Sequence, residues 1–155
     1  MTLTEVDLPA VNTPQFDWAR NKTGHKAQPV PPVYQPEVAA RAIYFGALHP
    51  RRQIWVGIPT LKAILANRLF PGLLDRYLAK SGYSGQMARA ASDPEAPGNL
   101  FEPVEGDYGA HGRFDSRART GSWEMFTSRH RDAAWAVALI GVAAGIHLLV
   151  KRLKI

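Results

Sequence analysis

The sequence predicts an α/β fold: two parallel strands joined by a crossover helix, then further helices, an irregular linker and a C-terminal apolar helix. Three features carry that expectation. Two short apolar, partly β-branched runs, residues 3–8 and 53–57, flank a helix-spaced segment at 37–48. Six prolines fall between positions 9 and 36, a density that forbids long helices and removes ladder donors. Residues 133–150 form an 18-residue run whose only polar member is His147.

In chain order, Leu3, Val6 and Leu8 mark a first strand of about six residues, stopped by Pro9. Residues 9–36 read as a long functional loop, interrupted by a short helix around Pro14 to Asn21. Pro36 and Glu37 suit a helix start, and Val38, Ala39, Ala42, Ile43 and Phe45 recur at helical spacing up to Leu48. Gln53-Ile54-Trp55-Val56 is a second strand ended by Gly57, so strand, crossover helix and strand make one parallel βαβ unit. Residues 60–80 read as helix, broken at Pro71-Gly72 and stopped by Gly82. From Tyr83 to Ser122 no period persists, and Asp93-Pro94, Ala96-Pro97-Gly98 and Glu105-Gly106 mark an irregular linker. The expected divisions are 1–58 (the βαβ part), 59–82 (helical extension), 83–128 (linker) and 129–155 (apolar helix with basic flanks).

The net charge of +6 resides mostly at the end of the chain: residues 129–155 carry +4, as Arg129, Arg131, Lys151, Arg152 and Lys154 against Asp132. A nucleic-acid binder spreads its basic residues over a structured face, so no nucleic-acid partner is expected. Charge bracketing an apolar run points to a membrane instead. As a helix, 133–150 would span roughly 27 Å, against a hydrocarbon core of ~30 Å. Trp135 suits an interfacial belt, while Lys151 and Arg152 can snorkel. Gly141 and Gly145 offer a small-residue face for self-association. The expectation is a transmembrane helix and a membrane-associated protein, with the bulk of the chain cytoplasmic because the N-terminus carries no export signal.

No cysteine is present, which excludes disulfides, thiolate metal sites and a Cys nucleophile. The five histidines lack any i, i+4 pair, so no metal site is expected.

Three stretches carry a family resemblance: Leu3-Thr-Glu-Val-Asp-Leu-Pro-Ala-Val-Asn-Thr-Pro-Gln-Phe16, Gln35-Pro-Glu-Val-Ala-Ala-Arg-Ala-Ile43 and Ile54-Trp-Val-Gly57. Their order resembles the C-terminal half of a short-chain dehydrogenase/reductase, from the sixth strand of its Rossmann-like sheet onward, which implies that the βαβ unit is the last two parallel strands of that sheet. Leu73-Leu-Asp-Arg-Tyr-Leu-Ala79 and Glu102-Pro-Val-Glu-Gly-Asp-Tyr-Gly-Ala-His-Gly-Arg-Phe-Asp115 resemble the C-terminal extension of a longer subgroup. The resemblance implies an NAD(P) cofactor whose nicotinamide carboxamide is held by the turn after the first strand. Val11 would act through its backbone and Thr13 through its hydroxyl, with Pro9 and Ala10 as neighbours. Residues 14–36 would be the substrate loop. The sequence departs from the family's Pro-Gly-x-Val/Ile-x-Thr turn: Leu8 and Pro9 stand where that Pro and Gly belong.

The family's Gly-rich pyrophosphate turn is missing from these residues. So is its catalytic Tyr-x-x-x-Lys: the residues four beyond the five tyrosines are Val38, Leu48, Ser81, Met87 and Gly112. No catalytic residue is therefore assigned. The reading is the C-terminal portion of an NAD(P)-dependent short-chain oxidoreductase, inactive and only weakly nucleotide-binding alone, with Met1 at the start of a core strand suggesting separation from an N-terminal half. The alternative is a small non-catalytic single-span membrane protein acting as an interaction module.

Overall fold

The computed structural model describes residues 2–96 and 98–153, apart from the side chains of residues 132, 134, 135, 149 and 153. Met1, Pro97 and the Trp135 side chain, expected at a strand start, in a linker turn and in an interfacial belt, lie outside the described residues. In order, the elements are β1 (Glu5–Asp7), β2 (Ala10–Val11), α1 (Gln15–Trp18), β3 (His25–Ala27), β4 (Val33–Tyr34), α2 (Pro36–Leu48), β5 (Gln53–Trp55), α3 (Ile58–Leu69) and α4 (Pro71–Gly85). β6 (Met87–Ala91), a 3-10 turn (Asp115–Arg117), α5 (Trp123–Arg129) and α6 (Arg131–Leu153) follow.

β1 and β5 pair in parallel with α2 as the connecting helix, register Glu5↔Gln53, Val6↔Ile54 and Asp7↔Trp55. Strand alternation then sorts the side chains. Val6 and Ile54 face α2, where the absence of a side chain at Gly46 is what lets the helix approach: a Cβ there would lie 3.0 Å from Ile54 Cδ1. Gln53 and Trp55 face the other way, where Arg68 of α3 donates to Gln53 Oε1 at 3.1 Å and lies 5.0 Å over the Trp55 ring. The pair is thus sandwiched between α2 and α3. Pro36 opens α2 without wasting a donor, and Val38, Ala39, Ala42, Phe45 and Gly46 form its buried stripe. With Val33, Tyr34, Ile54 and Val56 they make the core. α3 and α4 break at Pro71 as expected, but α4 continues through Gly82 to Gly85. Neither helix buries a residue fully, and Leu65, Leu69, Leu73 and Tyr77 are exposed.

The Pro-rich segment contains α1 where a short helix is expected, and it also carries strands that local pattern does not announce. β2 pairs with β4 in parallel, and Arg119 bridges to Tyr34 on the far side of β4. β3 pairs antiparallel with β6, which lies inside the stretch expected to be irregular. Both pairs are short and join segments distant in sequence. β6 is alanine-rich, and alanine carries little strand preference.

Gly57 closes β5 at φ +86° and ψ 139°. A Cβ there would stand 3.2 Å from both Pro9 Cβ and Tyr34 Cζ, so this glycine lets the end of β5 lie against the turn after β1. Gly57→Ala is expected to destabilise residues 2–122 by ~1–3 kcal/mol through backbone strain, read as a lower urea midpoint at unchanged m-value.

The chain divides into two compact units, Met1–Ser122 and Trp123–Ile155. The second contains α5, with Trp123 stacked on Phe126 at 5.5 Å between ring centroids, and α6. Here the sequence expectation is corrected. Among the described residues no helix is long and apolar enough to cross a membrane, so the transmembrane helix and the membrane-associated location inferred from it are not supported. The apolar run is diluted by six alanines and two glycines and is short for a hydrocarbon core.

Candidate functional site

Parallel strands place their carboxyl ends on one side, the side on which open α/β sheets bind ligands. The described residues hold four buried side-chain polar atoms without a hydrogen-bond partner: Asp7 Oδ2, Thr13 Oγ1, Trp55 Nε1 and Thr60 Oγ1. All four belong to the last residues of β1 and β5 or to the segments leaving them. Buried polar groups are ordinarily paired, so unsatisfied ones concentrated at one end of a sheet mark where a partner belongs.

The turn after β1 brings Pro9, Ala10, Val11 and Thr13 together there. Pro9 packs against Gly57, while Ala10 and Val11 pair with Val33 and Tyr34. The Asn12 amide donates to the Tyr34 carbonyl at 2.8 Å, and the Thr13 amide folds back to the Val11 carbonyl at 3.0 Å. Pro14 follows and opens α1.

Asn12, which sequence reasoning passes over, is the centre of the site. It is fully buried. Its Nδ2 donates to Gln35 Oε1 at 3.0 Å and to Asp115 Oδ1 at 2.8 Å, and its Oδ1 accepts from the Phe114 amide at 3.1 Å. Its carbonyl accepts from the Gly112 amide at 3.3 Å. These bonds fasten a strap, residues 111–115, across the turn. Gly112 makes the seat possible, since a Cβ there would fall 2.4 Å from the Thr13 carbonyl oxygen. The strap belongs to the stretch resembling a family extension, and Arg119 beyond it joins the edge of β4 by exchanging hydrogen bonds with Val33 and Gln35.

The first and last residues of the strap, His111 and Asp115, belong to an ion network. Asp115 Oδ1 also accepts from Gln35 Nε2 at 2.9 Å. His111 places Nδ1 2.8 Å from Asp115 Oδ1 and Nε2 2.7 Å from Glu37 Oε1. The His111 hydrogen bond holds Glu37 below the usual carboxylate range. Asp115 is lowered by its bonds to Gln35 and then to His111. Hydrogen bonds to Glu37 and Asp115 raise His111 above 6.5. Because the two imidazole nitrogens serve different carboxylates, the three residues do not converge on one ion, and no metal-holding group occurs among the described residues. Between His111 and Asp115, Phe114 meets Phe16 edge-on at 5.5 Å, and Arg113 forms an ion pair with Asp17.

At the end of α1, in the segment expected to be the substrate loop, Trp18 meets Tyr108 of the later linker edge-on at 4.5 Å. With Asn99, Pro103 and Asp107 they line an open cleft of about 440 Å³.

Over 70 residues the chain is 36% identical to an uncharacterized oxidoreductase, YxnA, of Bacillus subtilis (strain 168), a match covering 45% of this chain and 20% of that protein. The chain thus spans about a fifth of that relative's length. No family model and no solved structure matches it. The comparison makes the chain, over somewhat less than half its length, a relative of an oxidoreductase.

Proposed function

We propose that this chain is the C-terminal portion of an NAD(P)-dependent short-chain oxidoreductase, supplying the nicotinamide-side turn and the substrate loop and no catalysis by itself. The observation that carries this reading is the Thr13 hydroxyl, buried and unpartnered at the carboxyl end of β1. A carboxamide offers both a donor and an acceptor to such a group, so the residue present fits the cofactor's nicotinamide end. The Val11 carbonyl, which already accepts from Thr13, keeps a second lone pair for the carboxamide nitrogen. Pro9 brings no N–H, so binding at that position would be by ring contact. The relation to an oxidoreductase supports the reading. So does the two-stranded β1–β5 sheet, whose outer edges carry no described strand. An unpaired strand edge offers a row of N–H and C=O groups on which another strand can pair.

The test is a titration of the whole chain with nicotinamide mononucleotide, followed by amide resonances. Shifts confined to residues 10–13 are expected, with a dissociation constant of about 1 mM or weaker, equivalent to ~4 kcal/mol. Thr13→Val is expected to abolish the Thr13-centred shifts. The same substitution removes an unsatisfied buried hydroxyl, so it is expected to stabilise the unliganded chain by about 1 kcal/mol. A wild-type chain whose residues 10–13 ignore the nucleotide rules the reading out.

A further inference from the structure

The strap at 111–115 covers the backbone of the residue whose side chain lacks a partner; buried bonds to Asn12 hold its middle, and an exposed polar cluster holds His111 and Asp115. The Gly112 seat on Thr13 is too tight for any side chain. The catch, by contrast, is accessible: the His111 side chain is 42% exposed, and of its two partners Glu37 lies on α2, outside the strap, while Asp115 is the strap's own last residue. Two residues before the catch, Gly109 has φ +62° and open space around the position of a Cβ, a turn that its amide closes by donating to Asp107 Oδ1 at 2.9 Å.

We propose that residues 111–115 are a gate over the Thr13 turn, held shut by His111, which ties Asp115 within the strap to Glu37 on α2, and opened when that bridge loses its proton. That the gate serves a nicotinamide site rests on the function proposed above; the gate itself does not.

The chemistry follows from imidazole. Neutral histidine has one N–H, and its other nitrogen is a lone pair. With a carboxylate 2.7 Å from Nε2 and another 2.8 Å from Nδ1, both contacts are hydrogen bonds only when the ring carries two protons. On deprotonation one contact becomes lone pair against carboxylate and must separate. The charged groups facing His111 are Glu37 from α2 and Asp115 from the 3-10 turn. Arg41, next along α2, donates to the Thr120 carbonyl; Arg113 is paired with Asp17; Arg117 lies over the Phe114 ring. The folded chain raises His111, so the bridge is fully present below the free histidine value near 6.5 and is lost as pH climbs through the raised one. Glu37 and Asp115 are lowered, so their contribution persists until pH falls through their depressed values.

Amide hydrogen exchange of the whole chain, corrected for intrinsic rates, tests the gate at pH about 6 and about 9, either side of the histidine range. Protection of the Gly112 and Phe114 amides, both bonded to Asn12, is expected to fall at least tenfold at the higher pH, while α2 amides such as Ala42 hold theirs. His111→Gln is expected to give low protection at both pH values. Glu37→Gln, at an exposed position, is expected to move the fall to lower pH. Equal Gly112 and Phe114 protection at both pH values in the wild type overturns the gate, as does an identical fall in His111→Gln. Repeating the mononucleotide titration at both pH values separates the two readings. Opening without any shift at Thr13 sinks the nicotinamide site and leaves the gate standing. Shifts that are the same at both pH values, with unchanged protection, sink the gate alone.

Discussion

Asn12→Ala is expected to cost residues 2–122 about 3 kcal/mol of stability, because each bond it removes strands a group that water cannot reach easily. Asn12 is fully buried, and Phe114, whose amide it accepts, is 8% exposed. Truncation leaves that amide without an acceptor and Gln35 Oε1 without its donor. Asp115 keeps Gln35 and His111, so its loss is the smallest of the three. Asn12→Asp discriminates packing from polarity. It preserves volume and the acceptor for Phe114, yet sets a second carboxylate against Asp115, where the amide now donates at 2.8 Å. Its cost is therefore expected to equal or exceed that of Asn12→Ala at neutral pH and to shrink on acidification, as one carboxyl of the pair takes up a proton. Urea unfolding followed by circular dichroism measures both. A loss below about 0.5 kcal/mol for Asn12→Ala would place it among ordinary surface changes and remove Asn12 from the centre of the site.

What could be read from the chain divides along the range of the interactions. β1, α2 and β5 are legible because their signals are local: apolar spacing in α2, a β-branched run in β5, and prolines bounding both. The break at Pro71 is legible for the same reason. The β2–β4 and β3–β6 pairs are not, since two or three residues of strand next to prolines and charges carry no period of their own. The strap is the extreme case. Asn12 meets Asp115 across 103 positions and Gln35 across 23, and nothing in the spacing of an Asn, a Gln and an Asp announces that they share a hydrogen-bond network. Pro9, Ala10, Val11 and Thr13 are singled out by a family resemblance alone; nothing in their local spacing marks them. At the C-terminus, composition announced a helix correctly; the further step to a membrane span asked more of an Ala- and Gly-rich run than it delivers.

Gly112→Ala is expected to unseat the strap while leaving the rest of the site intact, which makes it the reverse of Thr13→Val. The added Cβ would meet the Thr13 carbonyl oxygen at 2.4 Å, the Thr13 carbonyl carbon at 2.8 Å and Asn12 Oδ1 at 2.9 Å. None of these is the loose end of a flexible side chain: two are backbone atoms, and the third is fixed by the Phe114 amide. The strap must therefore withdraw, stretching the Gly112 and Phe114 hydrogen bonds to Asn12 together. A cost of about 2–3 kcal/mol is expected from overpacking and the lost bonds. Two consequences separate this from general damage. Once the strap is displaced the Glu37–His111–Asp115 bridge has nothing to hold, so the difference in stability between pH about 6 and about 9 expected of the wild type shrinks. The Thr13 turn is uncovered, so mononucleotide shifts at residues 10–13 are expected to grow at the lower pH, although the protein is less stable. Stability lost without stronger nucleotide shifts would mean that the strap supports the turn and does not cover a binding site. Gly112→Ala with wild-type stability would mean that the close approach of Gly112 to Thr13 is not what holds the strap in place.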